Sequence, residues 1–106
     1  MTVLTVRAKM KEEHVDEAVA AVKRMFAAIE REGLEGIRYA SVRLEDGLTF
    51  LALLEVEDGV ENPLPALPEA QEFYASLPGW YAEEPEVGPG TVIGSYRLFS
   101  EAVTAG

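Results

Sequence analysis

The strongest constraint on this chain is the order of its periodic segments: strand, long helix, strand, tight turn, strand, short helix, strand, with strands partly apolar on both faces. Two helices can cover only one side of a four-stranded sheet. An apolar opposite side must then be shielded by a second subunit or a ligand, because burying apolar surface is worth about 25 cal/mol per Å².

Between Thr2 and Met10 the chain sets Leu4, Val6, Ala8 and Met10 against Val3, Thr5, Arg7 and Lys9, the two-residue period of a strand whose first set reads as core. From Glu12 to Glu32, Val15, Ala18, Val19, Val22, Phe26 and Ile29 recur at helical spacing. Glu12, Glu13, Asp16 and Glu17 lie early in that helix and Lys23, Arg24 and Arg31 late, which complements its dipole. Gly33 supplies a left-handed stop and Leu34 can pack back on the last turn, whereas no strong N-cap side chain precedes the acidic run.

Ile37–Leu44 and Leu48–Val56 are joined by Glu45, Asp46 and Gly47, and the Asp-Gly pair favours a hairpin turn. The second of these strands carries apolar residues in both phases and belongs in the middle of the sheet. Glu57–Pro65 reads as a loop. Pro68 then opens a helix with Ala70, Phe73, Tyr74 and Leu77 on its apolar stripe, ended by Pro78 and Gly79. Trp80–Gly90 reads as a second long connection, Thr91–Phe99 as the last strand, and residues 100–106 as a polar tail.

A right-handed crossover and a returning hairpin give the antiparallel strand order 4-1-3-2. The expected fold class is α+β, a ferredoxin-like βαββαβ sandwich with one sheet face open. The 106 residues make one domain, 1–106 with a core at 2–99, and bury roughly 60 to 70% of the unfolded surface. The net charge of −10 argues against nucleic acid and anionic membrane surfaces as partners. With no apolar stretch near ~20 residues and no leader pattern after Met1, a cytoplasmic location is expected. Zero cysteines exclude disulfides, thiolate metal sites and a cysteine nucleophile.

With this element order, the hairpin VRLEDGLTFLALLEV and the segment FYASLPGW, residues 2–99 resemble the dimeric α+β barrel superfamily, particularly small proteins of the antibiotic biosynthesis monooxygenase type. The resemblance implies paired sheets enclosing a cavity, a homodimer through the open face, and, in several members, cofactor-independent oxygenation of aromatic polyketide-like compounds. Haem-degrading relatives are expected to carry Asn on the first strand and a haem-ligating His near the second helix. Here Thr5 and the lone His14 at the start of the first helix depart from that pattern and argue against haem degradation.

The candidates for chemistry are the strand residues assigned to the second phase: Thr5, Arg7 and Lys9, then Tyr39, Ser41 and Arg43, then Ser95 and Arg97. This assignment takes Ala40, Val42 and Leu44 as facing the helices with Leu4 and Val6. Arg7, Arg43 and Arg97 would form a cationic wall that holds a carboxylate or stabilises a phenolate or enolate, or else pair with Glu55 or with acids of a second subunit. Trp80 and Tyr81 follow the second helix, where they can lid a cavity for an aromatic ligand or cap the core. Tyr39 can line the cavity, and Tyr74 belongs on the helix stripe. The expected substrate-binding set is Arg7, Tyr39, Arg43, Trp80 and Arg97.

His14 beside Glu13 is read as a solvated surface residue and Asn62 as a turn former. Neither a metal site nor a cofactor is expected, since no phosphate loop, nucleophile elbow or zinc-spaced set is present. Two functions fit: a cofactor-independent monooxygenase-like protein that takes a small ionisable aromatic or polyketide-like molecule, or a non-catalytic dimeric binding or regulatory module. An open chamber between the sheets favours the first, and a filled interface the second.

Overall fold

A computed structural model describes residues 2–98, with Thr2 described through its backbone alone. Strand β1 (Thr2–Lys9) leads through one 3-10 turn (Glu12–His14) into helix α1 (Val15–Glu32). A hairpin of β2 (Ile37–Arg43) and β3 (Thr49–Val56) follows, then helix α2 (Pro68–Trp80) and strand β4 (Glu86–Thr91). The sheet order is β2-β3-β1-β4, which is 4-1-3-2 read from the other edge, and every neighbouring pair is antiparallel. This is the α+β ferredoxin-like arrangement, with the hydrophobic core between the helices and one sheet face.

The local chemistry explains the elements. Gly33 ends α1 at φ 60°, and the amides of Gly33 and Leu34 return to the carbonyls of Glu30 and Ile29. The buried stripe of α1 is Val15, Ala18, Ala21, Met25 and Ala28, and Ala18, Ala28 and Ala70 of α2 are fully buried. Ala28 and Ala70 pack in one cluster with Met25 and Leu64, and Ala18 in a second with Ala8, Met10 and Phe50, so small side chains bring the helices close to their neighbours. The hairpin turn is fixed by Asp46, whose carboxylate accepts from the amides of Leu48 and Thr49 and from the Thr49 hydroxyl. These bonds hold the Asp46 carboxyl well below the usual range, at about 2. Gly47 takes the left-handed angle that the tight connection requires.

Two boundaries differ from the sequence pattern. Helix α2 runs through Pro78 to Trp80 instead of stopping at Pro78, because the proline sits in the last turn and the Tyr81 amide still reaches the Leu77 carbonyl at 3.1 Å. The last strand is Glu86–Thr91, not Thr91–Phe99. Backbone pairing to β1 decides this against composition: the Lys11 amide binds the Trp80 carbonyl, Met10 bridges Tyr81, and the Ala82 amide binds the Lys9 carbonyl. The full ladder then starts at Arg7 opposite Glu86, so β4's side carries two more residues than β1 between these contacts, a bulge at Glu83–Pro85. The alternating segment Val92–Leu98 lies beyond the sheet, with Ile93 99% exposed. Phe99 and the expected polar tail 100–106 lie outside the described residues.

Candidate functional site

The face of the sheet turned away from the helices forms a shallow concavity of about 540 Å³. Strand registers arrange its side chains in rows that cross the strands. One row runs Glu86, Arg7, Leu51, Val42 and the next runs Gly88, Thr5, Leu53, Ala40. Beyond these, Val3 stands opposite Gly90, and Arg38 stands opposite Glu55. Rows two residues apart along a strand are separated by about 6.6 Å, and four strands at ~4.8 Å spacing make each row about 14 Å long. The middle row is low: it holds a glycine, an alanine and a threonine, with Leu53 as its one large side chain. The result is a trough across the sheet with taller side chains on both flanks.

The floor of this trough is less polar than its sequence suggests. The Thr5 hydroxyl donates to the Gly88 carbonyl at 3.0 Å, and its methyl group lies beside Gly90, 3.4 Å from where a Cβ there would stand. On one flank Arg38 pairs with the largely buried Glu55 at 3.4 Å. On the other, the side chain of the exposed Arg7 makes neither a hydrogen bond nor an ion pair among the described residues, although Glu86 is its cross-strand neighbour. Arg7 also borders a polar cleft of about 500 Å³ toward the hairpin, shared with Lys9, Asp46 and Glu83. The site thus joins an apolar trough to one unengaged guanidinium.

The expected site residues divide between the two faces. Arg7, Thr5 and Lys9 lie in the open-face phase, as read from the sequence. Tyr39 does not: the phase of β2 is opposite to the expected one, so Ile37, Tyr39, Ser41 and Arg43 share the helix side, and Ala40 and Val42 line the trough. The reason is aromatic packing. Tyr39 stacks at 4.9 Å from Phe26, and its hydroxyl meets that of Tyr74 at 3.1 Å, so burial pushes the Tyr39 phenol far above its ordinary pKa. Arg43 is at the hairpin end, where its Nε donates to the Gly47 carbonyl at 2.9 Å.

Trp80 does not lid the open face either. As the last residue of α2 it packs against both parts of the core, 6.3 Å from Phe73, and borders a groove between the helices. Tyr81 likewise packs at the core margin. Arg97 is past the end of β4, exposed, at φ 45° and 5.4 Å over the ring of Tyr96, with Ser95 also off the sheet. Sequence reasoning missed Glu86, Gly88 and Arg38. Once β4 is registered against β1, the first two follow from alternation, but a strand of two glycines and a proline carries almost no compositional signal. Among the described residues no group of three His, Asp or Glu side chains comes together to hold a metal ion, and no helix is long and apolar enough to cross a membrane.

No protein-family model matches the sequence, and no curated protein matches it. Solved structures do match the fold. A putative antibiotic biosynthesis monooxygenase from Bacteroides thetaiotaomicron aligns with a TM-score of 0.71 at 14% identity, covering 87% of this chain and 89% of that one. SnoaB, a cofactor-independent oxygenase from Streptomyces nogalater, aligns with a TM-score of 0.64 at 15% identity, covering 89% and 94%. A protein of unknown function from Nitrosomonas europaea aligns with a TM-score of 0.66 at 11% identity, covering 90% and 91%. The chain therefore has the fold of antibiotic biosynthesis monooxygenase-like proteins, as the sequence resemblance implied. At these identities the likeness is one of fold, and activity must be argued from the site.

Proposed function

We propose that this protein is a cofactor-independent monooxygenase-like protein that binds a small ionisable aromatic or polyketide-like molecule on the open sheet face, closed into a chamber by a second copy of the chain. The carrying observation is the apolar trough bordered by the unengaged Arg7. The homodimer is supported by the bare apolar face and by Val92–Leu98, which exposes Ile93, Tyr96 and Leu98 where one subunit offers them no cover. A face-to-face pair would dry the trough and strengthen the attraction between Arg7 and an anion inside it.

In such chemistry the substrate loses a C–H proton to give an enolate or phenolate, which Arg7 stabilises by a charge-assisted hydrogen bond. The electron-rich carbanion supplies the electrons that reduce dioxygen. For an anthrone, the CH₂ group becomes C=O, one oxygen atom stays on carbon and the other leaves as water, so the substrate supplies all four electrons. The protein's tasks are to position the ring, exclude water and hold the negative charge. SnoaB, described as a cofactor-independent oxygenase, supports this reading through its shared fold.

The test is oxygen uptake by the full chain with a panel of anthrones and quinols. Uptake above the uncatalysed rate, lost in Arg7→Ala, supports the enzyme. A protein that binds such compounds without accelerating uptake is instead the non-catalytic binding module.

A further inference from the structure

The trough contains a glycine that its own subunit does not explain. Gly88 lies in regular strand, at a backbone angle open to any residue, and a Cβ built there meets no atom within 4 Å. Neither conformation nor crowding requires a glycine, and glycine weakens a strand. Gly36 shows the contrast: its φ of 82° and the Val60 side chain, 2.6 Å from where a Cβ would stand, each exclude a larger residue. A glycine inside a strand often marks a bulge, a bend or a close approach by a ligand or another backbone, and Gly88 lies in regular ladder past the Glu83–Pro85 bulge. It stands at one end of the low row formed with Thr5, Leu53 and Ala40, one row away from Arg7.

We infer that Gly88 is a specificity-determining residue, whose missing side chain lets a planar, fused-ring carboxylate or enolate lie flat across β4 and β1 with its charged group at Arg7. This rests on the binding reading above and sharpens it. Leu53 closes this strip on the β3 side, and the low floor that Gly88 and Thr5 leave over β4 and β1 suits a flat apolar face better than a branched or globular one. The Thr5 hydroxyl gives its proton to the Gly88 carbonyl and so has none to donate to the ligand's anionic group. A Val at position 88 would stand in the path of the ring while fitting the strand itself.

The experiment is a fluorescence titration of the full chain with 9-anthracenecarboxylate, run on the wild type, Gly88→Ala and Gly88→Val, with Gly79→Ala as a control at an uncrowded position outside the trough. Sedimentation and thermal melting of the same samples report assembly and folding. The expected result is a graded loss, at least tenfold for Gly88→Val and smaller for Gly88→Ala, with Gly79→Ala unchanged and all four proteins assembled and melting alike. Binding by Gly88→Val equal to the wild type overturns the inference and leaves the binding reading intact. A Gly88→Val protein that loses assembly in step with binding also overturns it, by giving the space to the partner subunit. A wild type that does not bind the probe removes the binding reading itself.

Discussion

Replacing Arg7 by Ala tests the charge half of the site. Arg7 is exposed and unpaired among the described residues, so its loss should alter stability by no more than about 0.5 kcal/mol, as for ordinary surface substitutions. A charge-assisted hydrogen bond to a bound anion is worth about 1.5–3 kcal/mol, which corresponds to a loss of roughly 10- to 150-fold in affinity. That loss should be confined to anionic ligands. The assay is a cycle of wild type and Arg7→Ala against 9-anthracenecarboxylate and its neutral analogue 9-anthracenemethanol, which isolates the charge term because ring contacts are common to both. Glu86, the cross-strand neighbour, opposes an anion at the same point, so Glu86→Gln should raise carboxylate affinity and leave the alcohol unchanged. Equal losses for the acid and the alcohol in Arg7→Ala would refute the reasoning, because the arginine would then be shaping the trough and not holding a charge.

Two further perturbations address the scaffold. The Asp46 carboxyl titrates at about 2 instead of its ordinary 3.8, so its contribution is present above about pH 4 and is lost as pH falls toward 2. Asp46→Asn should therefore be less stable near neutrality and show a flatter stability profile between those pH values, measured by urea unfolding across the range. Truncation after Thr91 removes the exposed residues Val92–Leu98 together with those that follow them, and leaves every sheet pairing among the described residues in place. If that segment covers a second copy, sedimentation at graded concentrations should show the full chain as a dimer and the truncated chain dissociating at higher concentration. Identical behaviour would remove the segment from the interface.

The parts of this fold that could be read from the sequence are those whose local chemistry has one solution. The helix α1 with Gly33 behind it, the Asp46-Gly47 turn and the doubly apolar β3 all point one way, and with the handedness of the crossover they fix the strand order, although the most buried line of α1 runs through Ala21, Met25 and Ala28, one position round from Val22, Phe26 and Ile29. The phase of β2 was not legible, because Ile37, Tyr39, Ser41 and Arg43 are as mixed in polarity as Arg38, Ala40 and Val42. Contact with Phe26 and Tyr74, distant in sequence, settles it. That reversal moves Tyr39 and Arg43 off the proposed site. At β4, alternation in Val92–Leu98 resembles a strand more than Glu-Val-Gly-Pro-Gly-Thr does, yet pairing to β1 selects the latter. Of the candidate set, Arg7 lies on the expected sheet face because the first strand's two phases differ plainly, one wholly apolar and the other bearing its cations.

Pro89 gives the outermost strand a further property. Its ring nitrogen carries no hydrogen, so a neighbouring chain cannot zip along that border through an unbroken ladder. Pairing through the β4 border is therefore interrupted, and growth of a continuous sheet from that side is opposed.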